Sequence, residues 1–393
     1  MIYIILGLTK FKLISPLFTI YLLNKGFSFS EIVLGGAVYH ITACITEVPL
    51  GVFMDKAGTK VSFIVSNILY IVKIMLFFKV SSTLGLLAMY SVRAVGKSLI
   101  KKCDIVIVGN KLENEGKSER LSKDYGNIVS ISSGMLVASS VICGLFYDGY
   151  LRYIVLATIV MHLVSTLLTI LYYNEPLDKS VRSMGMNFKE YVDKLIEGYR
   201  HVRVNGLIGM FILLSVITLA RIVIVDMKSV LMSELMISTW IVSAISIIGE
   251  LNQVAMGKLS HKVITKMGNY TVYLLVSLIG VFSIIPIISS SKLIVLMYCF
   301  TPIFNGLKNI YEADELNKNT TMVNKGTVIS FILVIQSILT SVVMVIMGKL
   351  HSTYGVVSIF IAVAAFIGLV VAPLSIKYVN NKQVNKLNAL NEV

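Results

Sequence analysis

The chain has 393 residues, 56% of them hydrophobic and 14% charged, a mean hydropathy of +0.83 and a formal net charge of +14. So little polar surface cannot cover a water-soluble globule of this length, which excludes a soluble fold and points to an all-α polytopic membrane protein. The positive charge would suit nucleic acid, but lysines gathered in cytoplasmic loops explain it, and the loop counts below leave none over for a nucleic-acid patch.

A spanning helix takes about 20 mostly apolar residues. That length predicts twelve spans, near 2–24, 30–53, 61–79, 82–103, 126–146, 150–173, 206–228, 237–258, 270–290, 292–312, 327–348 and 355–376. Met1 runs straight into the first apolar segment, with neither a basic n-region nor a small-residue cleavage site, so the first helix is expected to be retained with no soluble domain before it. Cys44, Cys103, Cys143 and Cys299 are scattered without ligand spacing, so no disulfide framework, metal site or cofactor is expected.

Orientation follows from the basic residues. Placing the loops after spans 2, 4, 6, 8 and 10 and the C-terminal tail on one side gathers 22 of the 35 lysines and arginines there. The opposite side holds Lys25, Lys79, Arg152, Lys228, Lys292 and Lys349. Both termini are therefore expected in the cytoplasm and the protein in the cell membrane. The longest loop, 174–205, divides a six-helix half (1–173) from a second (206–376), followed by a tail (377–393). Within that loop Asn187 and Glu190 stand at the spacing of a helix cap, and Phe188, Val192, Leu195, Tyr199 and Val202 recur at helical spacing. They predict an amphipathic helix on the cytoplasmic surface that tethers the halves.

Between spans 2 and 3, Glu47 to Lys60 reads E-V-P-L-G-V-F-M-D-K-A-G-T-K, a tight turn with no room for a domain. Gly51 and Gly58 lack a Cβ and allow close backbone approach, while Asp55, Lys56 and Lys60 supply charges that pair with or cap neighbouring helix ends. Gly51, Gly144, Gly257 and Gly348 close the apolar runs of spans 2, 5, 8 and 11, a weak fourfold repeat of three-helix units.

The pattern Gly51-x-x-x-Asp55-Lys56-x-Gly58-x-Lys60, with Glu47-x-Pro49 upstream, resembles the loop between helices 2 and 3 of the major facilitator superfamily. It departs from the family in having Lys56 where arginine is usual and Thr59 where a basic residue is common. Glu175-Pro176 after span 6 and Gly326-x-x-x-Ser330 at the start of span 11 are placed as in many bacterial members. The resemblance implies two six-helix halves made of inverted three-helix repeats. It also implies that helices 1, 4, 7 and 10 line a central cavity, that helices 3, 6, 9 and 12 face outwards, and that Gly51, Asp55, Lys56, Gly58 and Lys60 act in gating.

Ionisable groups at membrane depth cost about 2.5–3.5 kcal/mol each on insertion scales, so their positions carry information. The basic ones are Lys10, Lys12, Lys73, Arg93, Lys97, Arg221 and Lys308, and all but Lys73 fall on spans 1, 4, 7 and 10. Arg93, Lys97, Lys101 and Asp104 stack on one helix face. The plainer alternative lets Lys97 and Lys101 snorkel to the interface and leaves Arg93 alone at depth. Arg93 also resembles the helix 4 arginine of proton-coupled antiporters, though Gly96 follows it by three residues rather than four. Asn305 and Gln336 add neutral polar groups, so the candidate cavity set is Lys12, Arg93, Lys97, Arg221, Asn305, Lys308 and Gln336. Glu47, Glu250 and His40 are the candidate proton carriers, Glu47 having a gate contact as its structural alternative and His40 a packing role.

Gly96-Lys97-Ser98 looks like the end of a P-loop, but Ser91 stands where the first glycine is required, and no hydrolase or zinc-protease motif occurs, so an enzyme is not expected. The expected function is secondary transport of a small anionic or zwitterionic solute by a monomer in the lipid bilayer, working by alternating access. A proton-coupled multidrug exporter is the alternative, although Ser133 to Gly144 lacks the proline that drug antiporters carry on helix 5. A non-transporting sensor with the same fold is the third reading.

Overall fold

The computed structural model describes residues 2–114, 121–173, 188–204, 208–288, 292–304, 307–308, 311–312 and 322–391, and the side chains of Asp55, Lys101 and Asp104 lie outside that description. Among the described residues the chain is built from helices and short connections, without a strand. It divides into two compact units, Met1–Val192 with Ser238–Glu250, and Asp193–Ile237 with Leu251–Val393.

The first unit opens differently from expectation. Span 1 is not continuous: α1 (Ile2–Leu8) stops, Thr9–Ile14 leave the helix, a single 3-10 turn covers Ser15–Leu17, and α2 resumes at Phe18–Asn24. Pro16 lacks the N–H that a continuous helix would bond to the Lys12 carbonyl, which is the local cause. Irregular backbone at membrane depth survives only where protein satisfies it, and here the Lys12 backbone N–H donates to Ser139 Oγ at 3.1 Å.

The next helix, α3 (Phe29–Ala57), starts at a capping box in which Ser28 Oγ accepts from the Glu31 N–H and Glu31 accepts from the Ser28 N–H. It ends at Gly58, and α4 (Thr59–Lys79) begins one residue later. Gly58 has φ 87° and ψ 164°, a region open essentially to glycine alone, so the predicted tight turn is a one-residue corner. Gly355 makes the same kind of corner (φ 77°, ψ 179°) in the second unit. Beyond Gly58, the Lys60 ammonium donates to the Ile170 carbonyl at 2.9 Å, placing a cation on the last turn of α6.

After these, α5 (Thr83–Asn114) packs against both α3 and α4. Gly96 permits the approach, because a Cβ there would stand 3.2 Å from Leu69 Cβ. The helical assignment of α6 runs from Leu121 to Tyr172, where two spans were expected. A straight helix would separate residues 131 and 165 by roughly 50 Å. Yet a Cβ on Gly7 would lie 3.1 Å from Ile131, and Ser165 Oγ donates to the nearby Ile5 carbonyl at 3.0 Å. The α6 run therefore folds back on itself, with apolar stretches Ile131–Tyr147 and Gly149–Tyr172 on either side of the reversal.

The helix α7 (Phe188–Val204) leaves Val192, Ile196 and Tyr199 exposed among charged neighbours, and the two units divide within it, between Val192 and Asp193. The second unit holds α8 (Ile208–Glu234), the later part of α9 (Thr239–Met267), α10 (Thr271–Ile288), a 3-10 segment (Lys292–Phe300), α11 (Met322–Phe366, broken at Gly355) and α12 (Ala372–Asn391). Within it α8 packs on α10 and α11.

Seven helical stretches among the described residues are long and apolar enough to cross a membrane. Five causes separate this number from the twelve spans expected. Span 1 is broken, α5 carries Arg93, Lys97, Lys101 and Lys102, spans 5 and 10 appear among the described residues only as the shorter apolar helices Ile131–Tyr147 and Val295–Phe304, and Val334–Asn381 spans 48 residues as one stretch although Gly355 divides it.

Candidate functional site

Four cations meet inside the first unit, each seated against aromatic rings. Lys12 and Lys73 lie over Tyr70, with Nζ 6.0 and 4.9 Å from its centroid. Lys73 and Arg93 share Phe18, at 5.2 and 4.7 Å. Arg93 and Lys97 share Tyr39, both at 5.5 Å. The result is an alternating ladder, Lys12, Tyr70, Lys73, Phe18, Arg93, Tyr39, Lys97, drawn from the unwound segment of span 1 and from α2, α3, α4 and α5. Its Lys97 end is exposed, Arg93 is half-buried, and Lys73 is only 5% exposed.

The rungs are themselves packed. Phe18 stacks on Phe77 (4.8 Å, 17°) and meets Tyr90 edge-on at 5.9 Å, while Tyr70 stacks on His162 at 4.0 Å. Ring faces attract cations by about 0.5–1 kcal/mol at exposed sites and about 2 kcal/mol or more where water is excluded. Among the described residues, Lys73, Arg93 and Lys97 have no hydrogen bond or ion pair to a carboxylate.

Gly35 holds the ladder's outer wall. A Cβ at that position would stand 2.3 Å from Tyr90 Cδ2. Gly35→Ala must therefore displace the ring that lies 5.7 Å from the Arg93 guanidinium. We expect a loss of about 1–3 kcal/mol, read as a lowered melting temperature of the detergent-solubilised protein.

Of the predicted cavity residues, the structure thus brings together Lys12, Arg93 and Lys97, with His40 beside them. The His40 ring stands edge-on to Tyr39 at 5.0 Å, within electrostatic reach of Lys97 and Arg93. Of the others, Arg221, Lys308 and Gln336 belong to the second unit. Lys308 is ion-paired with Glu312 one helical turn on, at i,i+4 spacing. Arg221 lines a narrow cavity with Phe282, Thr301 and Phe304, and Asp226 acts on it electrostatically. Gln336 Nε2 reaches Ser215 Oγ at 3.5 Å. Asn305 lies outside the described residues. Glu47 in α3 and Glu250 in α9 are each half-buried.

Sequence reasoning set Lys73 aside on a helix expected to face outwards. The structure buries it, because Asn67, Tyr70, Lys73 and Phe77 recur every three or four residues and form the inward stripe of α4. That spacing was a readable signal. Nothing local announced His162, whose Nδ1 meets Asn67 Oδ1 at 2.9 Å across 95 residues of sequence.

The family model of the Major Facilitator Superfamily matches residues 1–310. This chain belongs to the Major Facilitator Superfamily. Solved transporter structures align along nearly its whole length. A point mutant of the nucleoside transporter NupG matches with a TM-score of 0.76 at 13% identity, covering 96% of this chain and 98% of that one. A POT family transporter in complex with 5-aminolevulinic acid matches with a TM-score of 0.69 at 13% identity, covering 96% and 94%. At such identities the likeness carries the fold alone. Among curated proteins, the uncharacterized MFS-type transporter YxaM of Bacillus subtilis (strain 168) is 29% identical over 152 residues. That match spans 38% of this superfamily member and 37% of YxaM.

Proposed function

We propose that this multi-pass membrane protein is a secondary active transporter of a small anionic or zwitterionic solute, moving it by alternating access of two six-helix halves, 1–173 and 206–376, with both termini in the cytoplasm of a cell-membrane monomer. The observation that carries this reading is the ladder. Lys73, Arg93 and Lys97 bring positive charge to membrane depth with aromatic faces and, among the described residues, no carboxylate paired with them. Lys308, by contrast, is neutralised by Glu312, so the anion-attracting charge is concentrated in the first unit. Gly51, Asp55, Lys56, Gly58 and Lys60 would serve the cytoplasmic gate, where the one-residue corner at Gly58 couples α3 rigidly to α4.

The test is ligand-induced thermal stabilisation of the purified protein with panels of organic anions, zwitterions and lipophilic cations at two pH values. A ligand at about 100 times its dissociation constant adds about 2.7 kcal/mol. Stabilisation by anions or zwitterions is the expected result. Stabilisation by lipophilic cations alone, abolished in Glu47→Gln or Glu250→Gln, would replace this reading with a proton-coupled drug exporter.

A further inference from the structure

Lys73 is a fully enclosed cation on α4 whose described surroundings are the rings of Phe18, Tyr70 and Phe77, at 5.2, 4.9 and 5.6 Å. Two like charges stand nearby, Arg93 across Phe18 and Lys12 across Tyr70. Buried charges in stable proteins are paired or hydrogen-bonded, because an enclosed ammonium without an anion forfeits its hydration. Ring faces return only part of that loss.

On the far side of the same cluster, His162 and Asn67 are both wholly buried. Asn67 Oδ1 can only accept, so His162 Nδ1 carries the proton and its Nε2 presents a lone pair. That Nε2 and Asn67 Nδ2 have no hydrogen-bond partner among the described residues. One acceptor and one donor are thus left open beside Tyr70, which stacks on His162.

Resting on the anion-transport reading above, we infer that Lys73 is the inner anchor and specificity-determining residue of a subsite within the first unit for an organic carboxylate with a flat apolar body. The carboxylate supplies the missing counter-charge, the body meets the edges of Phe18 and Tyr70, whose faces are held by Phe77, His162 and the cations, and Asn67 with His162 receives a polar substituent. Entry follows the ladder, from exposed Lys97 to half-buried Arg93 and across Phe18 to Lys73. An inorganic anion would gain the charge but leave the aromatic walls unused, so the subsite discriminates between the two.

The experiment measures melting temperature and apparent dissociation constant with benzoate, inorganic phosphate and benzyltrimethylammonium as probes, for wild type, Lys73→Met, Lys73→Arg and Phe18→Leu. Benzoate should stabilise wild type and phosphate should do so far less. Lys73→Met should melt at or above the unliganded wild type, because an enclosed unpaired charge has been replaced by an apolar side chain of similar length. Its benzoate response should be lost, with the dissociation constant raised about tenfold or more, while Lys73→Arg retains a response. If Lys73→Met is not recovered folded, Phe18→Leu decides, since it removes the ring that Lys73 and Arg93 share and should weaken benzoate binding. Benzoate stabilising Lys73→Met or Phe18→Leu as it does wild type overturns the subsite and leaves the anion-transport reading intact. No stabilisation of wild type by any anion, here or in the wider panel, overturns the anion-transport reading itself.

Discussion

Arg93→Ala is expected to abolish anion-dependent stabilisation and to reduce uptake of the stabilising solute into proteoliposomes by about tenfold or more, the worth of one charge-assisted contact. The guanidinium lies over Phe18, Tyr39 and Tyr90 at 4.7, 5.5 and 5.7 Å, so the ladder's centre is lost with it. Arg93→Lys keeps the charge and loses the planar stacking, and should give an intermediate defect. Lys97→Ala should do least, because an exposed ammonium is screened by salt and its loss leaves the enclosed cations in place. Uptake by Arg93→Ala at the wild-type rate would sink the ladder as a solute path and reduce its cations to helix glue.

The second large effect concerns the backbone. Gly58 occupies φ 87°, ψ 164°, where a β-branched residue is most strained, so Gly58→Val should cost roughly 1–3 kcal/mol and lower the yield of folded protein. Gly51, seven residues earlier in the same motif, lies inside α3 and is not among the glycines with positive φ. Gly51→Ala should therefore leave the melting temperature unchanged or raise it, since alanine favours a helix interior over glycine by roughly 0.5–1 kcal/mol. Any transport defect of Gly51→Ala then reports on gating rather than on folding. Thermal unfolding of the two variants side by side separates the roles, and equal stability of Gly58→Val and wild type would contradict the corner.

Much of this molecule was legible without coordinates, for local reasons. Apolar run length set the membrane class, because burying about 20 residues in hydrocarbon is a property of composition. The turn at Gly58 was readable because two apolar runs met with almost nothing between them. Ser28 and Glu31 stand at capping-box spacing, and Lys308 and Glu312 are one turn apart, so both contacts lay within reach of sequence spacing. Lysines and arginines at membrane depth stood out because that environment penalises them wherever they occur.

What tertiary structure alone decided was which of those cations act together. The break in span 1 had a local cause in Pro16, but it is tolerated because Ser139 on α6 accepts the freed Lys12 N–H across 127 residues. Lys73 looked like an outward-facing exception until Phe18, from α2, packed over it beside Tyr70 of its own helix. The hydrophobic pattern along one helix states which residues leave water and not which partners they meet. Cation–ring contacts act over about 6 Å, so the ladder existed only once α2, α3, α4 and α5 had packed.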